Sequence, residues 1–139
     1  MDKTETFIKM ADCPEIQELS PLNRKGIQWI EVGSWYAEGV SEGDIVCFGS
    51  IGADYKWYKE HRGKKLIWLP HQDQLQDMID DDFIHKLGDI FKAVRDFKLT
   101  YYHHAEKEFP FTSMEQLWLA FVMKEKYNKI WNGEEWVNP

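Results

Sequence analysis

At Pro70 the hydrophobic pattern of the chain changes period, and that change sets the fold class. Residues 26–69 carry four short segments, "GIQWIEV", "DIVCFGS", "YKWYKE" and "KLIWLP". All four are rich in β-branched and aromatic side chains, which fit a pleated, half-buried surface. The stretches between them, "GSWYAEGVSEGD", "IGAD" and "HRGK", each contain glycine and read as turns. Strands at this spacing predict a small antiparallel meander. Beyond Pro70 the apolar residues recur at three and four, as Leu75, Met78 and Ile79 do, which is helical spacing. The expected fold is therefore α+β. A small antiparallel sheet of about residues 26–69 packs with several amphipathic helices and a C-terminal hairpin, in a single domain spanning 1–139.

Local signals place the helices. "TETFIKMA" carries Phe7, Ile8 and Ala11 on one face. In "DCPEIQEL", Asp12 and Glu15 stand in the Asp-x-x-Glu relation of a capping box, with Pro14 in the first turn. Ser20-Pro21 is expected to end that helix, because the residue before proline avoids the helical region. Phe83, Leu87, Ile90, Phe91, Val94 and Phe97 continue a helical pattern after the acidic run at 80–82. Carboxylates there complement the positive end of a helix dipole. "KLTYYHH" reads as a short strand and "EKEFPF" as a turn or extended linker.

The strongest helix signal lies in "FTSMEQLWLAFVMKEKY". Thr112 with Glu115, and Ser113 with Gln116, both satisfy the capping-box spacing. Met114, Leu117, Trp118, Phe121 and Val122 form the expected buried stripe, and Lys124 and Lys126 fall in the last turn. The Asn132-Gly133 pair then predicts a two-residue type I′ hairpin, which would set Trp131 and Trp136 side by side.

Charge and composition exclude several functions. The net charge of −7, with its basic residues dispersed, opposes the positive field that duplex DNA binding requires. Cys13 and Cys47 lie far apart without a second pair, so neither a disulfide framework nor a metal-thiolate site is expected. The opening "MDKTETFIKMADC" lacks the basic and apolar regions of a secretory leader, and no window has the apolar length of a membrane span. A cytoplasmic protein is expected.

The candidate sites are few. His71 sits where a strand gives way to a helix, a place where open sheets bind ligands and where helix N-termini attract anions. The glycines that would let a phosphate approach are missing there, so Pro70 and the residues after it read as structural. His103 and His104 form the one histidine pair, but on a strand adjacent residues point to opposite faces. They could bind a metal only if the fold brought His85 or Glu106 near. The sequence holds no Gly-x-Ser-x-Gly, P-loop or dinucleotide fingerprint. No cofactor is expected and no catalytic residue stands out. Aromatic side chains are 15% of the chain. Trp29, Trp57 and Trp68 on strand segments, and Trp131 and Trp136 around the terminal turn, read first as core. Their other use would be a stacking or partner surface.

Three segments, "MADCPEIQ", "IWLPHQDQLQDMI" and "SMEQLWLAFVMKEKYNKIWNGEEWV", resemble a family of small uncharacterised proteins encoded by phages and prophages of Gram-positive bacteria. In that family an arginine usually stands where this chain has His71. The resemblance implies an origin in a mobile genetic element and a host-cytoplasmic location, and it implies no chemistry. The leading expectation is a non-enzymatic module that binds a host or phage protein. The alternatives are a small-ligand or nucleotide-binding protein that stacks its ligand on Trp68 or Trp57, and an acidic mimic of nucleic acid.

Overall fold

The computed structural model describes residues 1–22, 34–38, 45–47, 64–79, 95 and 111–139. The fold is α+β, with helices, an antiparallel sheet and a C-terminal hairpin. The chain divides into two compact units, one of residues 2–70 and one of residues 71–139 together with Met1. The segments expected at 26–32 and 55–60, the helix through Phe83 to Phe97, and the segments at 98–110 lie outside the described residues, apart from Arg95.

The first unit starts with α1 (Glu5–Ala11). Thr4 caps it by accepting the Phe7 N–H at 3.2 Å, and Asp2 in turn accepts the Thr4 N–H at 2.8 Å. Phe7, Ile8, Met10 and Ala11 are buried, the inward face that the spacing predicted plus Met10. The next helix, α2 (Pro14–Gln17), differs from expectation at its start. Its N-cap is Cys13, which makes no side-chain capping bond, and Pro14 occupies the first helical position. Asp12 is instead the C-cap of α1, its N–H donating to Ile8 O at 3.0 Å. Its carboxylate pairs with Lys65 at 2.6 Å. Proline at the first position gives up an N–H that has no helical partner anyway, so the helix begins there without a carboxylate cap. Ser20 follows the turn that ends α2, while Pro21 and Leu22 are themselves helical.

The sheet has three described strands, β1 (Trp35–Glu38), β2 (Ile45–Cys47) and β3 (Leu66–Leu69), in the order β2-β1-β3 and antiparallel throughout. β2 and β3 fall in segments read as strands. β1 does not: it lies in "GSWYAEGVSEGD", which was expected to be a break. The flanking glycines masked a four-residue strand that becomes the centre of the sheet. Trp35 stands opposite Cys47 and Leu69, and Tyr36 opposite Val46 and Trp68. Ile67, Trp68 and Leu69 are all buried.

The outer edge of β3 is closed by a side chain. Gln17 Oε1 accepts the Trp68 N–H at 2.8 Å. Its Nε2 donates to Trp68 O at 3.0 Å and to Ala11 O at 2.8 Å. The carboxamide thus takes the place of a neighbouring strand's peptide group. It satisfies both backbone groups of Trp68, which an open edge would leave available to another chain.

In the second unit, α3 (Gln72–Asp77) packs against α4 (Met114–Tyr127). Leu75 is the buried residue of α3, while Met78 and Ile79, expected on the same face, are half-buried in the turn after it. Lys126 Nζ donates to Met78 O at 2.7 Å and so occupies a carbonyl near the end of α3. The amino group of Met1 pairs with Glu115 at 3.1 Å.

The cap of α4 is close to the one its sequence predicts. Ser113 is the N-cap and its hydroxyl accepts the Gln116 N–H at 3.1 Å. Gln116 reaches back one residue further than a capping box requires, and its Oε1 accepts the Thr112 N–H at 3.0 Å. The buried stripe is broader than expected. Every residue from Gln116 to Met123 is buried, whereas Met114 is 49% exposed. A helix that is buried on all sides lies within its unit rather than on its surface. Trp118 and Phe121 meet edge-on with centroids 5.8 Å apart.

Candidate functional site

The terminal hairpin is built by the way α4 ends. Asn128 adopts the left-handed conformation, with φ 52° and ψ 43°, and donates its N–H to Lys124 O at 3.1 Å. Asparagine visits this region at low cost because its short polar side chain bonds locally. Here Asn128 Oδ1 accepts from Lys124 Nζ at 3.0 Å. The chain then enters β4 (Ile130–Trp131) and returns as β5 (Trp136–Val137).

The register pairs Ile130 with Val137 and Trp131 with Trp136, which leaves residues 132–135 as the loop. The loop therefore has four residues, where a two-residue type I′ turn was expected. Type I′ needs positive φ at both central residues. Gly133 has it, at 109°, and Asn132 is not among the described residues with positive φ. Asn132 serves through its side chain instead. Oδ1 accepts the N–H groups of Glu134 at 2.8 Å and Glu135 at 2.9 Å, and the Asn132 N–H donates to Glu135 O at 3.2 Å. This is the asparagine turn chemistry of a side chain mimicking the backbone.

The two indoles lie together as the sequence predicted, with centroids 5.1 Å apart and planes at 62°. They are not equivalent. Trp131 is buried at 5% exposure, and Trp136 is half-buried. Trp131 anchors the hairpin, and Trp136 presents part of its ring beside the exposed Glu134 and Glu135. Indoles and carboxylates in this setting supply contact area and charge.

The remaining candidates occupy other places. His71 is the N-cap of α3, half-buried, and its N–H donates to the Gln74 side chain at 2.8 Å. That bond is one half of a capping box. Trp68 is 3% exposed, so its ring is not an open stacking platform. Trp57, Trp29, His85, His103, His104 and Glu106 lie outside the described residues. Cys13 is buried and Cys47 exposed. Among the described residues no three histidine, cysteine or acidic side chains gather as metal ligands, and no helix is long and apolar enough to cross a membrane.

One aromatic contact was not foreseen. Lys3 Nζ lies 3.7 Å from the centroid of the half-buried Trp35 ring, within the range of a cation–π attraction. Trp35 belongs to the strand hidden between glycines, so no sequence signal had placed it on a sheet. No family model, curated protein or solved structure matches the chain.

Proposed function

We propose that the chain is a non-enzymatic accessory protein of a phage or prophage that binds a host or phage protein in the bacterial cytoplasm, with Trp136 at the centre of the contact. The observation that carries this reading is the terminal hairpin. Trp136 is half-buried, packed edge-on against the buried Trp131, at the end of a loop pinned by three hydrogen bonds at Asn132. A ring ordered before binding loses little freedom on association. Tryptophan is also among the residue types that most often dominate binding energy at protein interfaces. The exposed Glu134 and Glu135 and the net charge of −7 favour a partner with basic groups around its apolar pocket. The sequence supports the reading further by carrying no catalytic motif. The resemblance of its three segments to phage-encoded proteins supports the origin.

The test is affinity capture from lysate of phage-infected Gram-positive cells, using the wild-type chain and Trp136→Ala side by side. The unfolding midpoints of the two are compared first. The partner is then purified and its affinity for both chains measured. A partner of this face loses at least about tenfold in affinity to the variant, which corresponds to about 1.4 kcal/mol. Equal retention of every captured protein by Trp136→Ala removes the hairpin from the contact. Saturable binding of a nucleotide, with no protein captured, replaces the reading with a ligand-binding one.

A further inference from the structure

The second candidate lies in the first unit and is independent of the hairpin. Alternation along β1 puts Tyr36 and its cross-strand partner Trp68 on one face of the sheet. Continuing the alternation by one residue puts Ser34 on that face, diagonal to Trp68. Ser34 is 2% and Trp68 3% exposed. The Tyr36 hydroxyl is satisfied, meeting Ser20 Oγ at 3.2 Å and accepting the Leu22 N–H at 3.2 Å. The backbone of Trp68 is satisfied by Gln17. Two polar atoms on the face remain without a hydrogen-bond partner, Trp68 Nε1 and Ser34 Oγ.

Buried polar groups are paired in folded proteins in the great majority of cases. Diagonal neighbours on a sheet stand about 7–8 Å apart, within reach of an aromatic side chain, yet neither of these two buried groups has a hydrogen-bond partner. We infer that this face holds a small neutral guest whose oxygen accepts from Trp68 Nε1–H and Ser34 Oγ–H. The indole N–H is a donor only, which requires an acceptor opposite it, and the serine hydroxyl turns to donate to the same atom. Both donors are neutral, and a buried carboxylate held by neutral donors alone is costly, so the guest is neutral. It is an internal water or the carbonyl or hydroxyl oxygen of a small solute.

The experiment uses the full chain labelled with ¹⁵N at the tryptophan indoles, and Trp68→Phe identifies the Trp68 resonance. Ser34→Ala is expected to move that resonance and to speed exchange of its N–H, because the shared guest is lost or loosened. Stabilities of Ser34→Ala, Trp68→Phe and the double variant, from urea unfolding, are expected to be coupled. The double variant should differ from the product of the single effects on the unfolding equilibrium by about twofold or more. A nuclear Overhauser contact from water to the Trp68 indole N–H identifies the guest as water. A saturable shift on adding acetamide or ethanol identifies an exchangeable solute. An indole resonance unmoved by Ser34→Ala, with additive stabilities, overturns the inference.

Discussion

Replacing Gln17 by Glu exchanges one nitrogen for one oxygen, and the structure makes that exchange costly. Nε2 donates to two carbonyls, Ala11 O at 2.8 Å and Trp68 O at 3.0 Å. A carboxylate oxygen in its place faces both as an acceptor facing acceptors, and only the bond from the Trp68 N–H at 2.8 Å survives. Each lost hydrogen bond is worth about 0.5–1.5 kcal/mol net, and an acceptor left unsatisfied costs about 1–3 kcal/mol. Gln17 is half-buried, so water relieves part of this. The expected loss at neutral pH is about 2–4 kcal/mol, a large part of the roughly 5–15 kcal/mol available to a domain. With a slope of about 2 kcal/mol per molar urea, the midpoint falls by roughly 1–2 M. Protonation restores a donor, so folding raises the pKa of the introduced carboxyl above its unfolded value of about 4.3. The recovered stability is fully present below the unfolded pKa and is lost as pH rises through the folded one. Gln17→Ala lacks this recovery. Urea unfolding of both variants and the wild type, at neutral pH and near pH 4, tests the argument. A Gln17→Glu midpoint equal to wild type at neutral pH refutes it. So does a Glu variant that parallels the Ala variant at both pH values, since the side chain would then not be holding the edge of β3.

Two further outcomes follow from the same kind of bookkeeping. Deleting residues 130–139 removes the buried Trp131 and exposes the end of α4 that it covers. Loss of a buried tryptophan typically costs about 3–5 kcal/mol, so thermal unfolding should shift markedly downward, and an unchanged midpoint would show that the hairpin is not part of its unit's core. Burial pushes the Tyr36 phenol above its ordinary value, with the Ser20 and Leu22 hydrogen bonds pulling partly the other way. Its contribution is therefore full below the unfolded pKa of about 10 and lost as pH rises through the folded one. Ultraviolet titration should show one tyrosine ionising last and together with unfolding, and Tyr36→Phe should abolish that coupling at a cost of about 1 kcal/mol.

The candidate site was partly legible before the fold was known. Asn132-Gly133 announced a hairpin, and its flanking residues predicted the contact of Trp131 with Trp136. The loop length was not legible, because Asn132 has two ways to make a turn: positive φ, or a side chain that accepts backbone N–H groups. The register of β4 and β5 selected the second. The division of labour between the rings, one buried and one half-buried, was equally hidden. It depends on what each ring packs against, and the two residues are chemically identical.

Elsewhere the sequence alone determined what nearest neighbours along the chain can enforce. Thr4 and Ser113 cap helices because their hydroxyls reach an N–H three residues on. Pro14 opens α2 because its missing N–H costs nothing there. The change of period at Pro70 separates β3 from α3. Only tertiary structure decided that "SWYAE" is a strand, since its pairing energy comes from Ile45–Cys47 and Leu66–Leu69 rather than from its glycine-flanked surroundings. Only tertiary structure made Gln17 a surrogate strand, through a backbone 51 positions away in sequence. It also buried α4 on every side, where the spacing alone had promised one stripe. Propensity and capping act within a turn or two of chain. Edge pairing and burial are set by groups that the chain brings together only after closing long loops, and no local pattern records which groups those are.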